Sequence, residues 1–198
     1  MKKLTMNSSL VMIVFILLAA PANAECFING NISVETCDHA LGMYCYTLDV
    51  TWDMDSPHGL SHFDLLVDGE AGTCTCDDIG QYIAFDVIGG SSDGEGGCMV
   101  NYMAELACDG DPSIGMGGIM FKFEPEEGDC EPGPTGSGSF YFYSDLAAVP
   151  VDEQSVTLVD KAAQEYCTGT LTGVFPGLDC DPVATEERPF DSFKTIYR

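Results

Sequence analysis

Basic residues are scarce in this sequence. Its 198 residues include 7 Lys and Arg against 32 Asp and Glu, which gives a formal net charge of −25. A phosphate backbone is repelled by such a charge, so the composition argues against nucleic-acid binding. With 45% hydrophobic residues, the chain still has enough apolar material to form a folded core.

Side chains that support nucleophilic catalysis are also few. Only three histidines occur, at positions 39, 58 and 62. Ser61 and His62 are adjacent, so they point to opposite faces of a strand and cannot act as a Ser–His pair. The G-x-S-x-G nucleophile motif is absent. We therefore predict a protein that is not an enzyme. A hydrolase with a carboxylate dyad is the alternative, because acidic pairs are abundant.

Long apolar runs are limited to one segment, Leu10–Ala20. It follows Lys2 and Lys3 and precedes an A-x-A pattern that ends at Ala24, which is typical of a secretory signal peptide. The run is too short to cross a bilayer comfortably, so we predict that the protein does not span a membrane. Residues 1–24 are predicted to be removed and the rest exported. The two-lysine start favours a bacterial protein that is secreted or held at the cell surface, with the periplasm as an alternative.

Cysteine, in contrast, is plentiful, and an even number behind a signal peptide indicates disulfides formed in an oxidising compartment. Their order along the chain does not determine which pairs form. The Cys74-x-Cys76 spacing would point two sulfurs to opposite faces of a strand, which suits two different bridges. All ten cysteines are predicted to be paired: Cys26, Cys37, Cys45, Cys74, Cys76, Cys98, Cys108, Cys130, Cys167 and Cys180.

Alternation of apolar and polar residues is the main periodic signal, and it predicts strands. Gly- and Pro-rich turns separate these strands, and one short helix is predicted near Asp160–Tyr166. In the strand Met43–Asp53, the residues predicted to face inward are Tyr44, Tyr46, Leu48, Val50 and Trp52. The other predicted strands are Leu60–Val67, Gln81–Ile88, Cys98–Leu106, Ile119–Phe123, Ser139–Ser144, Ser155–Asp160 and Tyr166–Val174.

These strands predict an all-β domain over residues 25–181. We expect an antiparallel Ig-like or jelly-roll-type sandwich of about eight strands, stapled by disulfides. Residues 182–198 are predicted to form a linker and a short basic-aromatic tail. This tail is a candidate for recognition by an export or surface-attachment machine or by a partner protein; the alternatives are docking on the acidic body of its own domain and a frayed end. Its recognition residues are predicted to be Phe190, Phe193, Lys194, Tyr197 and Arg198.

Several segments together resemble a family of secreted bacterial β-sandwich domains with a Leu-Ser-His-aromatic strand. They are Tyr44-x-Tyr46-x-Leu48, Gly59–Phe63, Gly118–Glu124, Gly138–Phe142 and Val159–Ala162, and they cover roughly Met43 to Ala163. The resemblance implies an exported, Ig-like surface domain and carries over no catalytic residue. The high cysteine content and the Cys74-Thr75-Cys76 segment depart from the pattern.

Metal binding has two candidate sets in the sequence. His58 and His62 are four residues apart, but they straddle a turn and a strand start, so the helical argument for a shared metal does not apply. We predict a packed His62 whose ring bonds to backbone, and an exposed His58. Asp109 and Asp111 are candidates for calcium, since hard oxygen ligands suit this ion; the alternative is a solvated acidic surface. No other cofactor is predicted.

Aromatic residues offer one candidate ligand surface. Tyr141 and Tyr143 share a face of their strand, where they form a platform for a sugar ring or cap the sheet with their hydroxyls in water. Taken together, the sequence predicts an exported, non-enzymatic structural or interaction module. A small carbohydrate-binding module, assisted by calcium, is the alternative. Its expected partners are a cell surface, a glycan or the export machinery.

Overall fold

The computed structural model describes residues 26–54, 58–67, 74–153, 156–162 and 165–178. Within them the fold is all-β, with eleven strands and one α-helix. The predicted signal peptide, Cys180 and the predicted tail lie outside the described residues. Among the described helices, none has both the length and the apolar character needed to cross a membrane.

The secondary structure elements follow one another along the chain with short connections. The strands are β1 (Phe27–His39), β2 (Gly42–Asp53), β3 (His62–Val67), β4 (Ile83–Ala84), β5 (Gly90–Asp93), β6 (Met99–Ala107), β7 (Ile119–Pro125), β8 (Thr135–Ser144), β9 (Ala148–Pro150), β10 (Val156–Ala162) and β11 (Glu165–Pro176). The helix α1 covers Cys76–Tyr82, and single 3₁₀ turns occur at Glu95–Gly97 and Val151–Glu153.

Nine of the strands form a closed barrel. The hydrogen-bonded order is β1-β2-β8-β5-β6-β7-β3-β10-β11, and β11 pairs back onto β1. The pairing of β1 with β11 is parallel, whereas the other neighbours in the ring are antiparallel. The prediction of an all-β, disulfide-linked fold is confirmed. The strands do not divide into the two sheets of the predicted sandwich, because the β1–β11 pairing joins the ends of one sheet.

The barrel interior is filled by aromatic and aliphatic side chains. The inward face predicted for β2 is correct: Tyr46, Leu48, Val50 and Trp52 are buried, and Tyr44 is half-buried. Alternate residues of the other strands complete the core, and many of its rings contact one another. Such contacts join Phe63, Phe121, Phe123, Phe140, Phe142 and Phe175.

Two segments differ from the sequence prediction around α1 and β10. The strand predicted over Gln81–Ile88 is wrong, because α1 continues to Tyr82 and only Ile83–Ala84 form a short strand. Thr75 caps α1 reciprocally with Asp78, a capping box that the sequence already contains. The helix predicted near Asp160–Tyr166 is also wrong, since β10 and β11 pair there as a hairpin.

The strand prediction also missed β1, β5 and β9. In β1, Ile28, Ile32 and Val34 alternate with polar residues, but Gly30 interrupts the apolar series. Gly30 lies where a Cβ would press on Leu48 and Leu158 from inside the barrel. The alternation in β1 therefore predicts a strand if Gly30 is counted as one of its buried residues.

Disulfides crosslink the described part of the chain at sequence separations from 8 to 141 residues. The described bridges are Cys26–Cys167, Cys37–Cys45, Cys76–Cys108 and Cys98–Cys130. Cys74 is also disulfide-bonded, and the described part of the chain contains no free cysteine. Cys74 and Cys76 therefore serve two different bridges, although Cys76 begins a helix and does not lie in the predicted strand.

The β1–β11 seam depends on two glycines of β11. A Cβ on Gly169 would overlap the carbonyl oxygen of Ile28, and one on Gly173 would overlap that of Ile32. Gly173 also has a φ of 98°, which side-chain-bearing residues rarely adopt. The missing side chains allow β11 to approach β1 closely enough to close the barrel.

We expect Gly169→Ala to lower the free energy of unfolding by about 2–3 kcal/mol, because the new methyl group must displace backbone. Gly128→Ala is the matched control: nothing lies within 4 Å of a Cβ at that position. Urea denaturation followed by Trp52 fluorescence measures both. Equal stability of the two variants would show that the seam is not tightly packed.

Asp160 is a charged side chain on the inner face of β10. It follows Leu158 by two residues, is fully buried, and accepts a hydrogen bond from the Cys167 backbone N–H at 3.0 Å. Its second carboxylate oxygen has no hydrogen-bond partner among the described residues. Desolvation by burial raises the pKa of Asp160 from 3.8 to about 6. The folded state therefore favours the protonated form of Asp160. The stability that this form contributes is fully present below the unfolded pKa of 3.8 and is lost as the pH rises through about 6.

We expect Asp160→Asn to become more stable relative to wild type as the pH rises. Asparagine stays neutral and keeps an oxygen for Cys167, so the stability difference should shift in its favour by about 2 kcal/mol between about pH 4 and pH 7. Exposed Asp152→Asn is the control. Denaturation at a series of pH values tests this, and a pH-independent difference would contradict it.

Candidate metal centre

A cluster of polar side chains is buried on the outer face of the barrel. His62 and Asp64 alternate with the core residues Phe63 and Leu65 along β3, so they point away from the barrel interior. Asp64 lies directly opposite Lys122 of β7, and His62 lies opposite Lys161 of β10. His62 and Asp64 therefore share the outer face of β3.

The loop between β6 and β7 supplies the third buried group, Asp111. A turn at Gly110, with φ of 75°, precedes it, and Asp111 bridges to Met116 through backbone hydrogen bonds. One carboxylate oxygen, Oδ1, accepts from the backbone N–H of Ser113 at 2.7 Å. The Cys76–Cys108 disulfide fixes the start of the same loop. The other carboxylate oxygen of Asp111 is thereby aimed at β3.

The three side chains converge with little solvent access. His62 Nε2 lies 2.6 Å from Asp111 Oδ2 and 3.6 Å from Asp64 Oδ2. The side chains of His62, Asp64 and Asp111 are 5%, 1% and 2% exposed. His62 Nε2 and Asp111 Oδ2 are close but do not meet in hydrogen-bond geometry. Among the described residues, these two atoms and Asp64 Oδ1 are buried without a hydrogen-bond partner.

Lys122 lies at the edge of this cluster. Its Nζ is 2.6 Å from Glu124 Oε1 and 3.5 Å from Asp111 Oδ2, so its main partner is the partly exposed Glu124. Burial works to lower the pKa of Lys122, but the hydrogen bond and charge of Glu124 outweigh it and raise that pKa. Lys122 therefore stays charged and offsets only part of the buried acidic charge.

Burial and neighbouring charges separate the pKa values of the three groups. Desolvation, with the charge of Asp111, raises the pKa of Asp64 to about 7. Desolvation acts in the same direction on Asp111, but the two hydrogen bonds from Ser113 outweigh it and lower that pKa to about 2. Desolvation and the Lys122 charge lower the pKa of His62. A neutral imidazole thus faces an ionised carboxylate.

This set of atoms is suited to holding a cation. His, Asp and Asp offer one ligand atom each, and these atoms all lie within 4.8 Å of one another. The two carboxylates are also close enough for a hydrolytic dyad. However, they lie beneath the β6–β7 loop, so a sugar ring has no access to them in this structure. An ion needs far less space.

The structure agrees only in part with the site residues predicted from the sequence. Asp109 is exposed, whereas Asp111 is buried with His62 and Asp64. His58 is exposed, as predicted. His62 is packed, as predicted, but its Nε2 faces two carboxylates and not backbone. The pairing of Asp64 with Asp111 had no sequence signal, because a loop fold brings together residues 47 positions apart.

The two tyrosines do not form one exposed platform. Tyr141 is 40% exposed, whereas Tyr143 stacks on His39 at 4.1 Å and donates a hydrogen bond to Asp86 at 2.8 Å. Desolvation and the Asp86 contact raise the pKa of Tyr143 to about 12. Only Tyr141 is therefore available to an external ligand.

Tyr141 borders a shallow groove on the outer face of β2, β8, β5 and β6. Its lining is formed mainly by small polar residues. Strand register places Asp49, Ser139, Ser91 and Asn101 side by side across the four strands. Ser139 donates a hydrogen bond to Asp49.

We expect Asp111→Ala to lower the free energy of unfolding by about 3 kcal/mol, because it removes the group that faces His62, Lys122 and the Ser113 N–H. Asp109→Ala, an exposed substitution in the same loop, should change it by no more than about 0.5 kcal/mol. Thermal and urea denaturation at neutral pH check both. A loss no larger for Asp111→Ala than for Asp109→Ala would show that the cluster does not hold the loop.

Comparisons with family models, curated proteins and solved structures find no match to this chain. The resemblance to secreted bacterial β-sandwich domains therefore stays a prediction from the sequence.

Proposed function

We propose that this protein is an exported, non-enzymatic interaction module whose ligand is a carbohydrate. The observation that carries the proposal is the polar row on the barrel's outer face, together with the exposed ring of Tyr141, which lies two residues beyond Ser139 on β8. Multiple disulfides are compatible with an oxidising compartment outside the cytoplasm.

The row supplies what a sugar requires. Neighbouring strands are about 4.8 Å apart, so the row presents hydroxyl, amide and carboxylate groups at short, regular intervals. Such groups exchange hydrogen bonds with sugar hydroxyls, while the face of Tyr141 packs on the C–H groups of a ring. All of these side chains stand on strands, which hold them more rigidly than loops do.

Barrel closure and charge restrict the class of ligand that the protein can bind. A closed ring has no free strand edge, so a peptide cannot bind by extending it, and recognition falls to the outer faces. The groove contains the carboxylates of Asp49 and Asp93, and the whole chain carries −25. Anionic polysaccharides are repelled by this charge, which favours neutral or amino-sugar glycans.

A glycan array followed by titration calorimetry with the best neutral glycan tests the proposal. We expect Tyr141→Ala to weaken binding about tenfold, because it removes the stacking surface. Tyr166→Ala is the matched control: Tyr166 is 47% exposed on β11, outside the groove.

Two results would contradict the proposal. One is the absence of glycan binding by folded wild-type protein at millimolar concentration. The other is binding that Tyr141→Ala leaves unchanged. A preference for sulfated or uronic-acid polymers would refute the charge argument alone.

A further inference from the structure

The His62, Asp64 and Asp111 side chains bring three buried ligand atoms together on the outer face of the barrel. Nε2 of His62, Oδ1 of Asp64 and Oδ2 of Asp111 are without hydrogen-bond partners in the described ranges. Their side chains are at least 95% buried. Leaving such atoms unpaired away from water costs free energy, and more so for ionised groups.

The neighbouring lysines offset only part of the free-energy cost of burying these ligand atoms. Lys122 is committed to Glu124 at 2.6 Å, and its 3.5 Å distance to Asp111 Oδ2 is too long for a good hydrogen bond. Lys161 is opposite His62 in the register and is only partly buried. Lys122 and Glu124 cancel one another, so two carboxylates are left facing an imidazole.

We infer that His62, Asp64 and Asp111 form a binding site for one divalent transition-metal ion of the zinc class. The site is separate from the proposed glycan groove and does not depend on it. The imidazole nitrogen decides the class, because Ca²⁺ and Mg²⁺ take oxygen ligands whereas Zn²⁺ accepts His and Asp together.

The spacing of the ligand atoms is close to that of a tetrahedral zinc site. Ligand atoms of a tetrahedral zinc site, with bonds of about 2.0–2.1 Å, lie roughly 3.3 Å from one another. The observed separations of 2.6 Å and 3.6 Å from His62 Nε2 bracket this value. Three protein ligands leave a fourth position, which water fills in sites of this type.

Metal binding would also tie the β6–β7 loop to the barrel wall. Asp111 belongs to the loop, while His62 and Asp64 belong to β3. A bound ion would therefore hold the loop against the barrel more firmly and slow hydrogen exchange in residues 109–117. This readout is specific to the proposed site, because ions on the exposed acidic surface would not protect that loop.

The experiment uses the disulfide-bonded protein, stripped with EDTA and dialysed into a non-chelating buffer at neutral pH. Titration calorimetry with ZnCl₂, in the presence of excess CaCl₂ to occupy surface carboxylates, should give one ion per chain. Zinc should raise the melting temperature and slow exchange in the β6–β7 loop, and calcium alone should do neither. His62→Gln and Asp64→Asn should each weaken zinc binding by at least about tenfold.

Two further variants keep the test decisive if a ligand substitution impairs folding. Lys122→Met retains all three ligands and removes the competing positive charge, so it should tighten zinc binding. Asp109→Asn, on the exposed part of the same loop, should leave binding unchanged. The inference is overturned if folded wild-type protein binds no zinc at 100-fold molar excess. It is also overturned if zinc binds equally well to His62→Gln and Asp64→Asn, or more weakly to Lys122→Met.

Discussion

Closure of the sheet at the β1–β11 seam is the constraint on which this fold depends. A ring of nine strands cannot be antiparallel throughout, because alternating directions around an odd ring bring two like-directed strands together. The parallel β1–β11 pair is that necessary exception. Parallel pairs are slightly less stable per residue than antiparallel ones, so support from outside the hydrogen-bond ladder matters at this contact.

The chain reinforces the seam in two ways. Gly169 and Gly173 remove the methyl groups that would separate the strands, so backbone meets backbone closely. Cys26, immediately before β1, is bonded to Cys167 within β11. This bridge closes a loop of 141 residues in the unfolded chain, and long loops are those in which a crosslink restricts the unfolded state most. Such a bridge is compatible with folding in an oxidising compartment.

Much of the strand pattern could be predicted, since the inner face of a barrel imposes the same period of two as a sandwich. Tyr46, Leu48 and Val50 show this clearly in β2. Alternation does not distinguish an open sheet from a closed one, because closure depends on a pairing between the first and last long strands. That pairing involves glycines, which carry no hydrophobic signal.

The candidate metal centre was less predictable, for a different reason. Hydrophobic periodicity reports which strand face is buried against a core. It does not report that a distant loop folds over the outer face. Asp111 was selected only as one of many acidic residues, and its neighbour Asp109 looked equally suitable although it is exposed.

The buried cluster of His62, Asp64 and Asp111 has few basic residues near it to compensate its negative charge. Only two basic residues, Lys122 and Lys161, occur between Glu25 and Glu187, and both lie on strands that flank His62 and Asp64. Burying a carboxylate costs several kcal/mol unless it is well compensated, and an apolar replacement is often as stable. Val159, directly opposite Asp64, and Ile114, in the covering loop, show that apolar side chains are buried in the same region. A loop that needed only to be held down could use such residues alone, so the buried imidazole and carboxylates are better explained by a ligand that they bind.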